Sequence, residues 1–241
     1  MILIHDIGKH FGKVVALDHI QLNFEKGLSY ALIGPNGSGK TTLIKCILGM
    51  VIPTYGTLEV DGVSIQNQWR YREKIGYMPQ IGHYPGNMRI IQLFEMMKNI
   101  RGQATLDESL IEAFGLHKIY DKRLQTLSGG TRQKISAALA FLFSPSILIL
   151  DEPTAGLDPV SVEILKEKIV LEKKAGKLFL ITSHILSDLD DLCSHIIYLF
   201  EGKVCYQQEI EKLKEDTGET SLGKAIARLM TTGQFETPPV Y

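Results

Sequence analysis

The stretch LSYALIGPNGSGKTTLIKCIL, residues 28–48, decides the reading of this chain. Six residues from Leu28 to Ile33 are apolar or small and read as a strand. Gly34 to Thr41 then fits the pattern G-x-x-x-x-G-K-[ST] in full. Thr41–Leu48 follows with helical spacing and stops at Gly49, with Pro53 beyond. Strand, glycine loop and helix in that order make an anion cradle. The glycines at 34, 37 and 39 let backbone N–H groups curl around a polyphosphate without Cβ clashes. The helix N-terminus adds partial positive charge. Lys40 is placed to reach terminal phosphates, and the Thr41 hydroxyl is a ligand for Mg²⁺.

A second apolar run, Ile147–Leu150, ends in Asp151 and Glu152. A buried strand that delivers two carboxylates at its C-terminal end puts them where open α/β sheets bind ligands. Asp151 is the expected Mg²⁺ partner, and Glu152 the residue that orients or deprotonates an attacking water. Elsewhere Met1–Ile4, Ile20–Phe24, Thr57–Val60, Ile75–Met78 and Leu178–Thr182 read as strands. Ile196–Phe200, Glu201-Gly202 and Lys203–Gln207 read as a hairpin. Helices are expected at Leu127–Leu142, Val160–Lys174, Leu186–Leu192, Glu209–Asp216 and Leu222–Met230. Between Ile90 and about Tyr120 the period also becomes helical, with Ile90, Leu93, Phe94 and Met97 on one stripe. The end, residues 237–241, is expected to be loose. The fold class is therefore α/β, with a mostly parallel sheet, strands near the N-terminus and a helical insert.

Composition agrees with a globular protein: 241 residues, 44% hydrophobic and 22% charged. With 26 basic against 27 acidic side chains the net charge is −1, so nucleic acid is not an expected partner. Cys46, Cys193 and Cys205 are widely spaced and odd in number, which suits reduced thiols in a cytoplasmic setting. The longest apolar run, Ala137–Phe143, is far short of the ~20 residues of a membrane span, so no direct membrane insertion is expected. His5, His10, His19, His83, His117 and His195 have no ligand spacing, and no metal is assigned to them.

LSGGTRQ at 127–133, upstream of DEPTAGLD at 151–158, resembles the signature of ABC-type ATPases. Gln80 matches that family's Q-loop glutamine, Asp158 closes its D-loop, His184 matches its switch histidine, and Phe11 stands where an aromatic stacks on adenine. The resemblance covers roughly residues 1–207 and implies a P-loop NTPase core with an N-terminal antiparallel β subdomain. The helical insert would span about 84–142, and 208–241 would be a short C-terminal extension with a loose tail.

The resemblance implies ATP and Mg²⁺ as cofactors. Phe11, Gly34, Pro35, Asn36, Gly37, Ser38, Gly39, Lys40, Thr41 and Thr42 would hold the nucleotide of their own chain. Ser128, Gly129, Gly130 and Asp158 would serve the nucleotide of a second ATPase subunit, identical or homologous, packed head to tail. Glu152, His184 and Gln80 would be catalytic, and Thr41, Gln80 and Asp151 would surround Mg²⁺. Two residues depart from the common pattern: Thr131 replaces glutamine in the signature, and Phe11 replaces tyrosine. Transmembrane permease subunits are the expected partners, at the cytoplasmic face of the membrane. The loop Tyr84–Met88 is the better candidate for contact with them, since the stripe at Leu93, Phe94 and Met97 also suits packing on the chain's own core.

The compact length resembles exporter-type subunits. The rivals are a non-transport ATPase of repair or translation, and a regulatory module without turnover. The short insert without CxxC pairs and the single ATPase unit disfavour the first, and Glu152 with His184 disfavours the second.

Overall fold

The computed structural model describes residues 1–102 and 105–232, so the expectation for 237–241 lies outside the described residues. In chain order the elements are β1 (Ile2–Phe11), β2 (Val14–Phe24), β3 (Ser29–Ile33), α1 (Lys40–Ile47), β4 (Tyr55–Val60), β5 (Val63–Ser64), β6 (Ile75–Met78), α2 (Ile90–Arg101) and α3 (Ser109–Ala113). There follow α4 (Gly129–Phe141), β7 (Ile147–Asp151), α5 (Pro159–Lys174), β8 (Leu178–Thr182), α6 (Leu186–Leu192), β9 (His195–Phe200), β10 (Lys203–Glu209), α7 (Ile210–Thr217) and α8 (Leu222–Thr232). Packing divides the chain into two compact units: residues 1–72 with 178–241, and residues 73–177. Among the described residues no helix is long and apolar enough to cross a membrane.

In the first unit β3 lies between β8 and β9 and runs parallel to both, while β10 closes as the antiparallel partner of β9. All five β3 residues are buried, as are all five of β8, which is the pattern of strands covered on both faces. Ahead of them stands a four-stranded antiparallel sheet in the order β2-β1-β4-β5. Its first two strands run 10 and 11 residues, longer than their apolar alternation suggests. The register slips between Ile4 and Ile7 and again between Ile7 and Lys9. Asp6 and His19, both at φ 51°, sit at these slips and break the two-residue period while pairing continues.

In the second unit β6 and β7 pair in parallel, Ile75 opposite Ile147 through Met78 opposite Leu150. Leu93 and Phe94 of α2 are buried, with the Phe94 ring 6.0 Å from that of Tyr120, so the helical stripe packs on its own unit. A charged network fastens the insert. Lys168 of α5 reaches Asp107 at 2.5 Å and Glu172 at 2.7 Å, and Lys177 reaches Glu172 at 2.5 Å and Ser144 Oγ at 2.9 Å. Asp107 also accepts from the Ser109 amide and hydroxyl.

Burial pushes the Asp107 and Glu172 carboxyls up, but their lysine partners outweigh it and hold both below the ordinary carboxylate range. A depressed carboxyl contributes stability above its unfolded pKa of about 4 and loses it as pH falls through the folded value. Thermal melts should therefore lose midpoint steeply on acidification below about pH 4. Lys168→Met, which takes away the cation shared by Asp107 and Glu172 and leaves Asp107 to its Ser109 bonds and Glu172 to Lys177, should lower stability at pH 7 by about 3 kcal/mol in denaturant titration.

Candidate active site

The glycine loop is shaped by close backbone approach. A Cβ on Gly34 (φ 147°) would stand 2.0 Å from the Leu199 carbonyl oxygen, and one on Gly39 (φ 106°) 2.6 Å from that of Ala16. No side chain fits either place, so the turn is held open as a ring of amides. Lys40 folds back across it, Nζ donating to the Gly34 oxygen at 2.7 Å and the Pro35 oxygen at 3.0 Å. The Ser38 hydroxyl is buried without a hydrogen-bond partner. A buried orphan hydroxyl is costly. Inside a cradle of amides ending in a lysine and a threonine, it suits a polyphosphate oxygen. Pro35, Asn36, Gly37 and Thr41 are exposed and Thr42 is half-buried, along the rim of the cradle and the first turn of α1.

Two other groups belong to this unit. Phe11 ends β1 and is 50% exposed, with the Lys9 ammonium 4.9 Å from its ring centroid. A half-exposed aromatic ring suits a stacked base. His184 is exposed just after β8. The turn beyond it is fixed by the Ile185 amide donating to Ser183 Oγ at 3.0 Å.

The second unit supplies the acids. Asp151 ends β7, half-buried, beside the Tyr77 phenol. Burial, with the Asp151 charge adding, pushes that phenol up to about 12, so it stays a neutral hydroxyl. Glu152 is buried with φ 53°, a left-handed backbone that a non-glycine residue adopts at a cost. Its carbonyl oxygen accepts from the Gln133 side-chain amide at 3.0 Å. Gln80 is exposed, just beyond β6.

The signature opens α4. Ser128 is its N-cap, and its Oγ accepts from the Thr131 amide at 3.2 Å and lies 2.9 Å from the Thr131 hydroxyl. Ser128 and Gly129 are exposed and uncluttered. A Cβ on Gly130 would come 2.6 Å from the Gly156 oxygen, so the signature lies directly on the D-loop. Asp158 caps α5 through Ser161 and pairs with Lys134 at 2.8 Å. The bond from Lys134, then those from Ser161, hold its carboxyl well below the usual range.

Each unit thus gathers its own share of the expected residues: Phe11, the loop 34–42 and His184 in the first, and Gln80, 128–130, 151–152 and 158 in the second. Sequence reading missed Gln133, which holds the Glu152 backbone, and Lys134, which holds Asp158. Both sit within two turns of Ser128, and the only available signal was the polar run Thr131–Lys134 ahead of the mostly apolar remainder of the helix.

An orphan hydroxyl in a glycine cradle, a lysine folded over that cradle, and a buried strand ending in two acids define a nucleoside triphosphatase of the P-loop class. The family model described as "ABC transporter" matches residues 17–155. The chain belongs to that family, and it is an ABC-type ATPase. The lantibiotic transport ATP-binding protein SrtF of Streptococcus pyogenes is 35% identical over 217 residues, 88% of this chain and 92% of the relative. The bacitracin transport ATP-binding protein BcrA of Bacillus licheniformis is 32% identical over 215 residues, 87% of this chain and 70% of the relative. A solved ATP-binding subunit of an ABC transporter superposes with a TM-score of 0.87 at 25% identity, covering 95% of this chain and 99% of that one.

Proposed function

We propose that this chain is the ATPase subunit of an exporter, working as a pair of ATPase chains, identical or homologous, that drives transmembrane permease subunits from the cytoplasmic face. The observation that carries the reading is the near-complete overlap with SrtF, a lantibiotic transport protein, in a chain that keeps Lys40, Asp151, Glu152 and His184. Nod factor export ATP-binding protein I of Cupriavidus metallidurans, 31% identical over 204 residues, supports the same direction of transport.

In this reading residues 1–207 are the ATPase domain, with the helical insert at about 84–142 and the extension at 208–241. Lys40 and the loop amides hold the triphosphate of ATP, and the Phe11 face receives the base. Thr41, Asp151 and Gln80 would be the residues to hold Mg²⁺, which would neutralise charge developing on the phosphates. Glu152 accepts the proton of the attacking water, whose approach Gln80 and His184 fix. The Ser128 hydroxyl with the Gly129 and Gly130 amides completes the partner chain's site. No nucleophilic side chain is required, because phosphoryl transfer to water depends mainly on position and charge.

Co-expression with each membrane protein encoded near this gene tests the reading. The complex should co-purify, and its ATPase rate should rise with cargo in vesicles. Failure of every neighbouring membrane protein to bind would overturn it. The pairing has its own test: Ser128→Arg places a bulky cation on the exposed tip of α4. It should abolish the ATP-dependent dimer in size exclusion, in a Glu152→Gln background, while monomer affinity for Mg-ATP changes less than about threefold.

A further inference from the structure

The C-terminal extension is fastened to one short helix, α6, which begins two residues after His184. Two hydrogen bonds and one ion pair hold it there and to a residue just past the helix. The Ile210 amide at the start of α7 donates to the Ser194 oxygen at 2.8 Å, just beyond α6. Lys214 of α7 pairs with Asp190 Oδ1 at 2.6 Å. The Leu222 amide, first in α8, donates to Asp190 Oδ2 at 3.0 Å. Asp190 thus uses both carboxylate oxygens to hold two successive helices of the extension. Its side chain and that of Lys214 are each 17% exposed, so the pair is largely sheltered from water.

Apolar packing surrounds this clip. Leu222, Ala225, Ile226 and Leu229 of α8 are buried at helical spacing. Gly223 lies against Leu186, the first residue of α6, where a Cβ would sit 3.7 Å from Leu186 Cδ1. α6 also buries Leu189 and Leu192. A seven-residue helix has little stability of its own, so its position is set by what packs on it. The segment carrying His184 is continuous with it, since the Asp188 and Leu189 amides both donate to the Ile185 oxygen.

We infer that Asp190 is a positioning residue for catalysis: by clipping α7 and α8 onto α6 it fixes the segment that carries His184, so the C-terminal extension controls turnover and not nucleotide affinity. This rests on the reading of His184 as the group that holds water in line. Lys214 serves the clip from its far side, its ammonium held charged chiefly by Asp190.

The full chain tests this by steady-state ATPase kinetics, at a temperature where melts show every variant folded. Asp190→Ala should lower kcat about tenfold and move KM less than about twofold, because geometry is lost while the phosphate cradle is intact. Asp190→Asn keeps an oxygen for the Leu222 amide and should fall between Ala and wild type, and Lys214→Met should lower kcat in the same direction. Amide hydrogen exchange over residues 183–189 should rise in Asp190→Ala, a readout independent of turnover. In a His184→Ala background Asp190→Ala should cause no further loss. An unchanged kcat or unchanged exchange in Asp190→Ala overturns the inference while leaving the histidine's role standing. An equal further loss in the His184→Ala background overturns it too. Wild-type turnover of His184→Ala alone would bring down the histidine's role and the inference with it.

Discussion

Glu152→Gln is expected to bind Mg-ATP with nearly native affinity and to hydrolyse it ~10²–10⁴-fold more slowly, the range a positioned general base contributes. The substitution is conservative in everything except charge. Glutamine has the same length, adopts the φ of 53° no less readily, and leaves the Gln133 bond to the residue 152 carbonyl oxygen intact. The loss is then chemical and not structural. Isothermal titration for affinity, beside single-turnover phosphate release for the rate, separates the two. Native release rates in this variant would remove Glu152 from the reaction.

The second large effect belongs to Lys40→Ala. Its ammonium is the cation folded directly over the glycine ring, 2.7 Å and 3.0 Å from the oxygens of Gly34 and Pro35. Removing one charged partner from a sheltered ionic contact costs about 2–5 kcal/mol, which weakens Mg-ATP binding by about 30-fold to a few thousandfold. The nucleotide-free protein should melt within a few degrees of wild type, since the hydrogen bonds from Nζ to Gly34 and Pro35 that the deletion removes go to carbonyls of a surface loop. What should vanish is the rise in melting temperature with added nucleotide, which follows the ratio of ligand concentration to Kd. A preserved rise would contradict the assignment of the loop.

The core of the fold and most of the candidate site were legible because their signals are local. Residues 28–48 carry a buried run, an amide ring and a helix start within 21 positions, and β7 announces itself by four apolar residues before two acids. What escaped depends on distant pairing or on broken periodicity. The long pairing of β1 and β2 was hidden because Asp6 and His19 interrupt the alternation that marks a strand. Asp107 and Lys168 meet across 61 positions, and Asp190 meets Leu222 across 32. A charged residue in a solvated-looking stretch gives no hint of such a partner. Gln133 and Lys134 escaped for a related reason: a helix pattern tells which face is apolar, not which polar side chain reaches a neighbouring backbone.

Those last two residues give α4 an unusual duty. The helix begins with the tip proposed to serve the mate's nucleotide and, one to two turns later, grips the backbone of the acid serving its own. The Lys134–Asp158 pair and the contact of Gly130 with Gly156 brace the same span. In the proposed pair of copies this helix would be a crossbar between the two bound nucleotides, so that a displacement of its tip would be passed to the backbone of Glu152.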